Sequence, residues 1–161
     1  VHASTATLAN ALKNLGFEQT NTAFFDTLVV KADAKKIKKI AEENNFNGLR
    51  LILGMYKMNA INSPKLKVIL EQNKLDFLPE AHCYLIYNNQ IIDHTNNKSK
   101  LTDFSDDLLE EIEINVNEIT EFKVTYHKNY LKDWLLKNPP IKHHLNEIWD
   151  IREQCIKSLS N

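Results

Sequence analysis

The residues that could act together chemically fall on one predicted hairpin. Pro79-Glu80-Ala81-His82-Cys83-Tyr84-Leu85-Ile86-Tyr87 is followed by Asn88-Asn89-Gln90-Ile91-Ile92-Asp93-His94-Thr95. The apolar runs 81–87 and 90–95 read as strands, and Asn88-Asn89 as a two-residue turn that tolerates positive φ. With that turn, Tyr87 faces Gln90, Tyr84 faces Asp93 and His82 faces Thr95. Strand alternation then puts His82, Tyr84, Ile86, Ile91, Asp93 and Thr95 on one face. His82 and Asp93 become diagonal neighbours, within reach of an imidazole N–H to carboxylate hydrogen bond. Such a bond fixes the tautomer, orients the ring and stabilises imidazolium, which is two thirds of a nucleophile–His–Asp triad. The plainer reading is a hydrogen-bonded histidine and a strand-end aspartate, and a register slip of one residue would part the two.

Other arrangements are weaker. Cys83 adjoins His82, but successive strand residues point to opposite faces, so its sulfur is expected in the packed layer as a small hydrophobe. Cys155 reads as core on the last helix, Thr27 as a loop hydroxyl, and Asp33 as a helix cap. His94 falls on the opposite face from Asp93, and His143-His144 diverge by about 100° on a helix, so neither makes a metal site. No zinc spacing, phosphate loop or dinucleotide fingerprint occurs, and no metal or cofactor is expected. The Lys31/Lys35/Lys36/Lys38/Lys39 run reads as a solvated face, and Phe122, Tyr126, Tyr130 and Trp134 read as core.

The elements that must position the hairpin follow from periodicity. Helices are expected over 4–15, 33–45, from Ser63-Pro64 onward, 117–137 and 141–159. A strand is expected over 49–58. A helical turn is expected over 106–110, and a half-buried strand over 111–116, where Glu-Ile-Glu-Ile alternates. Segment 17–31 holds Phe24-Phe25 and the run Leu28-Val29-Val30 without a clear period. Helices lead and close while strands group centrally, which predicts an α+β fold with one antiparallel sheet and helices packed on it. The 161 residues suit a single domain: an N-terminal helix, a core over about 24–126 and C-terminal helices over about 117–159.

Composition narrows the classes further. Twenty Lys+Arg against twenty-one Asp+Glu give a net charge of -1, which argues against nucleic acid as a partner. Only Arg50 and Arg152 are arginines, which disfavours phosphate-clamp chemistry. No stretch approaches the length of a membrane span. Two cysteines make no disulfide framework. The opening residues from Val1 show no signal-peptide pattern. A reduced, cytoplasmic setting is therefore expected.

The hairpin resembles the His and Asp strands of the transglutaminase-like superfamily, part of the wider papain-like cysteine fold. Pro79 to Leu85 is most similar to a small bacterial subgroup. Leu51-Ile52-Leu53-Gly54-Met55-Tyr56-Lys57-Met58-Asn59 and Ile148-Trp149-Asp150-Ile151-Arg152-Glu153-Gln154-Cys155-Ile156 fit the same subgroup. The resemblance runs roughly from Phe24 to the C-terminus. It implies a catalytic order of Cys, His, Asp, with the thiol at the N-terminus of a central helix. There the helix dipole and a nearby imidazolium lower the thiol pKa. That cysteine would fall within 29–36, which reads Val29-Val30-Lys31-Ala32-Asp33-Ala34-Lys35-Lys36. His82 and Asp93 carry over as the catalytic pair, and the nucleophile does not. The resemblance thus implies a degenerate domain that binds a protein or peptide, with a shallow cleft between the sheet and the helix starting near Asp33. The alternatives are an acyl-transferring or amide-hydrolysing enzyme with an unusual nucleophile, and an unrelated α+β interaction domain.

Overall fold

A computed structural model describes residues 18–19, 30–31, 34–43, 47–92 and 102–160. The expected helix over 4–15, and Asp93, His94 and Thr95 of the hairpin, lie outside these residues. The elements in chain order are β1 (Glu18–Gln19), β2 (Val30–Lys31), α1 (Ala34–Glu43) and β3 (Arg50–Asn59). A 3-10 turn (Pro64–Leu66) then leads into α2 (Lys67–Gln72), β4 (Phe77–Tyr87) and β5 (Gln90–Ile92). After these come α3 (Thr102–Ser105), β6 (Leu108–Glu113), a 3-10 turn (Val116–Ile119), α4 (Glu121–Lys137) and α5 (Leu145–Ser160). The fold is α+β. β1 and β2 form a small antiparallel pair, and a four-stranded sheet runs in the order β5-β4-β3-β6 with every neighbour antiparallel.

The hairpin has the register read from its turn. Tyr87 pairs Gln90, Ile86 pairs Ile91 and Leu85 pairs Ile92. Asn88 and Asn89 take φ of 49° and 61°, the double left-handed geometry of a type I′ turn. β3 pairs β4 along its whole length, from Arg50 opposite Ile86 to Asn59 opposite Phe77.

The two sheet faces have different neighbours. On the odd-numbered face, Leu49, Leu51, Leu53, Met55, Ala81 and Leu85 pack with Ala34, Ile37 and Ala41 of α1 and Tyr126 and Tyr130 of α4. The other face, which holds the even-numbered residues of β3 and β4, carries Ile52, Tyr84 and Ile86 with Ile91 of β5, and Phe104 of α3 packs onto it. A third cluster gathers Met58, Leu66, Leu70 and Leu78 with Leu131 and Trp134 of α4 and Ile148, Ile151 and Cys155 of α5.

Four readings change. β4 begins at Phe77 rather than at 81. Pro79 can sit within it because Lys57, its partner on β3, turns its own N–H away to the Asp107 carbonyl, so that pair exchanges no hydrogen bond, and β5 pairs only Leu85 to Tyr87 on the other side. The turn expected over 106–110 is replaced by α3 ahead of it and by β6, which starts at Leu108. The segment from 117 divides at Thr120, with a 3-10 turn before it. On α4 the buried stripe is His127, Leu131 and Trp134, whereas Phe122 is 40% exposed.

Gly54 marks the tightest point of the sheet. A Cβ there would lie 2.8 Å from Tyr84 Cε1 and 3.0 Å from Leu108 Cδ2. The Tyr84 ring crosses β3 at this glycine, and its hydroxyl donates to the Glu111 carboxylate on β6. Gly54→Ala should therefore destabilise the protein by about 2 kcal/mol, an overpacking cost measurable by urea unfolding. Unchanged or raised stability would show that the ring does not hold this position.

Candidate functional site

His82 lies on β4 opposite Gly54, with its side chain on the even-numbered face. Its ring centroid is 4.8 Å from that of Phe104, 6.0 Å from Tyr84 and 6.4 Å from Tyr56. The Tyr84 ring is nearly parallel to it, and the other two meet it edge-on. Burial raises the pKa of the Tyr84 phenol, and the hydrogen bond and charge of Glu111 raise it further. Tyr84 therefore stays a neutral donor to Glu111. Asp93, the other member of the expected pair, lies outside the described residues.

Neither cysteine is set up as a nucleophile. Cys83 falls on the odd-numbered face and packs against the Leu51–Leu53–Met55 cluster, as strand alternation requires. Burial pushes its thiol pKa up, against a smaller opposing pull from Lys123. Cys155 is fully buried in α5. Burial and the charge of Glu80 push its pKa up to about 11, with Arg152 opposing. A thiol is nucleophilic as thiolate, and both environments favour the protonated form.

The helix beginning near Asp33 also stands on the wrong side for the expected cleft. Its first residue, Ala34, packs with the odd-numbered face, so the sheet separates it from the His82 ring. A cavity of about 550 Å³ does adjoin α1, but Lys39, Glu42, Glu43 and residues 115–118 line it, not His82. Among the described residues, no group of three or more His, Cys, Asp or Glu could hold a metal ion. Nor is any described helix long and apolar enough to cross a membrane.

A second polar cluster lies two residues before His82. Glu80 is 5% exposed and takes a bidentate pair from Arg152 on α5, Nε to Oε2 at 2.8 Å and Nη2 to Oε1 at 2.7 Å. Two parallel charge-assisted bonds of this kind are what permit a buried carboxylate. The Arg152 guanidinium also lies 5.1 Å from the Trp149 ring centroid, and Lys128 Nζ lies 4.7 Å from it. His127 on α4 is 1% exposed, and its Nε2–H donates to the Pro79 carbonyl at 2.9 Å. α4 and α5 thus grip the strand immediately ahead of His82. Spacing along the sequence does not pair Arg152 with Glu80, although Arg152 falls between the buried Ile148 and Cys155 on α5. An arginine within that apolar stripe was the available signal.

No family model matches this chain, and no solved structure does. Two curated proteins share a short stretch with it. The glycine dehydrogenase (decarboxylating) of Flavobacterium johnsoniae is 66% identical over 47 residues, and that of Christiangramia forsetii is 57% identical over 47 residues. The stretch is 29% of this chain and 5% of either enzyme, so the chain spans about a twentieth of the relatives it matches.

Removing one partner of the buried pair strands the other. Arg152→Ala should cost about 3 kcal/mol of unfolding free energy, whereas Glu80→Leu combined with Arg152→Met should recover most of that loss. A double variant no more stable than Arg152→Ala would contradict this. His127 contributes a pH dependence to stability. Burial lowers its pKa from the ordinary 6.5; Arg152 and Lys123 lower it further, while Glu80 and the Pro79 carbonyl oppose the shift. The unfolded chain accepts a proton that the native state resists. Stability is therefore full above the ordinary value and falls as pH drops below it toward the lower native pKa. His127→Gln should flatten that slope in urea unfolding from neutral to mildly acid pH; an unchanged slope would assign it to other groups.

Proposed function

We propose that this chain is a non-catalytic domain of transglutaminase-like ancestry, acting through binding or scaffolding of a protein or peptide. The observation that carries this reading is the division of the sheet. The His82 ring sits among Tyr56, Tyr84 and Phe104 on one face, while Cys83 and the start of α1 pack on the other. An acyl-transfer site needs the nucleophile within hydrogen-bond reach of the base. Here β4 itself lies between His82 and the Cys83 sulfur. The raised pKa values of both thiols point the same way. On this reading, His82 persists as an aromatic packing element of the strand.

The antiparallel β3–β4–β5 arrangement and the His82-bearing hairpin are compatible with the transglutaminase-like resemblance. The placement of α1 departs from what that resemblance implies. We place the protein in a reducing, cytoplasmic setting, in keeping with two cysteines that are both free.

Thiol labelling at neutral pH tests the proposal. Both cysteines should react more slowly than a free thiol, and His82→Ala should not change either rate beyond a structural loosening seen equally in urea unfolding. Amide hydrolysis or acyl transfer by the wild-type chain that disappears in His82→Ala would overturn the reading.

A further inference from the structure

Of the three glycines in the sequence, only Gly48 follows an asparagine. Asn47 and Gly48 lie in the turn that leads into β3, and both are exposed. Gly48 takes φ of 90°, a conformation that side-chain-bearing residues rarely adopt, so the turn demands glycine at this position. That demand has a chemical consequence. A glycine nitrogen has no Cβ beside it to hinder its attack on the side-chain carbonyl of the residue before it. The fold therefore requires, in an exposed turn, the dipeptide in which an asparagine amide is least shielded.

Other asparagines are held differently. The side-chain amides of Asn59 and Asn62 donate to Asp107 and to the Lys57 carbonyl. That of Asn73 donates to the Ile69 carbonyl, that of Asn115 to Glu118 and that of Asn138 to the Trp134 carbonyl. Asn138 also precedes Pro139, whose nitrogen carries no hydrogen to lose. Asn88 and Asn89 are exposed turn residues like Asn47, but Asn89 and Gln90 follow them, and the Cβ of each crowds the same approach. They form an internal comparison with a similar setting and a different following residue.

We propose that Asn47 is a site of spontaneous deamidation in the native fold. The Gly48 backbone nitrogen loses its proton and attacks Asn47 Cγ. The new N–Cγ bond forms, the Cγ–Nδ2 bond breaks, and ammonia leaves. Water then opens the resulting succinimide at either carbonyl, leaving aspartate or isoaspartate at position 47. Nothing is oxidised or reduced, and water is the sole co-reactant. Isoaspartate lengthens the main chain by a methylene two residues before Leu49, which is buried in the odd-face core and whose carbonyl accepts from Lys38 of α1. Either product also adds a negative charge in the chain after α1, a helix that ends in Glu42-Glu43 with no basic residue in its last turn. Conversion should therefore loosen the junction of α1 and β3. This inference does not depend on the binding role proposed above.

Ageing the full chain at mildly alkaline pH, folded in buffer beside a sample unfolded in urea, tests this. Fragmentation mass spectrometry of the tryptic peptide 40–50 should show Asn47 of the folded chain becoming an acid before Asn88 or Asn89 does. Isoaspartate methyltransferase should label the aged chain at position 47. Asn47→Gln should lose that label, with circular dichroism unchanged. The modified fraction should unfold at lower urea than fresh protein. The proposal is overturned if Asn47 of the folded chain keeps its amide over a period in which the unfolded chain converts, if Asn88 or Asn89 converts first, or if modified and fresh chains unfold at the same urea concentration.

Discussion

Consecutive side chains on an extended strand point to opposite sides, and on β4 that rule decides how the molecule can act. His82 and Cys83 are neighbours in sequence and strangers in space. One ring enters an aromatic group with Phe104 and Tyr84, and the adjacent sulfur enters the aliphatic layer under α1. Neither can turn to the other side without a change of register, which the full-length pairing with β3 holds in place. The functional reading is a consequence of that pairing more than of any single contact.

The same alternation explains how the outer strand is secured. β6 is an edge strand with three glutamates at 110, 111 and 113, a composition that discourages edge-to-edge pairing. Glu111 receives the Tyr84 hydroxyl on the even-numbered side. Glu110 receives the Tyr126 hydroxyl from α4 on the other side. Glu113 takes a bond from Arg50 Nε at 2.8 Å. The strand is therefore tied to β3, to β4 and to a helix through its charged side chains, while Ile112 reaches the odd-face core. Gly54 is the opening through which the Tyr84 tie passes.

Local signals were legible in the sequence, and distant pairings were not. Asn88-Asn89 announced both the turn and its register, because few residue pairs accept two consecutive positive φ values. Ser63-Pro64 announced the start of the next helical segment, with Leu66 and Leu70 buried as its spacing required. The early start of β4 was hidden by Pro79, a residue that argues against a strand unless one edge is left unpaired. On α4, spacing alone favoured Phe122 over His127, since a histidine reads as polar until a carbonyl is found for its ring nitrogen. The Glu80–Arg152 pair joins residues 72 apart in the chain, a separation no local pattern reveals. For the candidate site, the strand, its face and the exclusion of Cys83 were readable, whereas the side on which α1 would pack was not.

The central claim is that imidazole and thiol occupy opposite layers of the sheet. Nuclear Overhauser contacts between assigned side chains test it most directly. Cross-peaks are expected from the His82 ring protons to the rings of Phe104 and Tyr84, and from the Cys83 β-protons to the methyls of the Leu51–Leu53 layer. Cross-peaks from the His82 ring to those leucine methyls, or to residues at the start of α1, would contradict it.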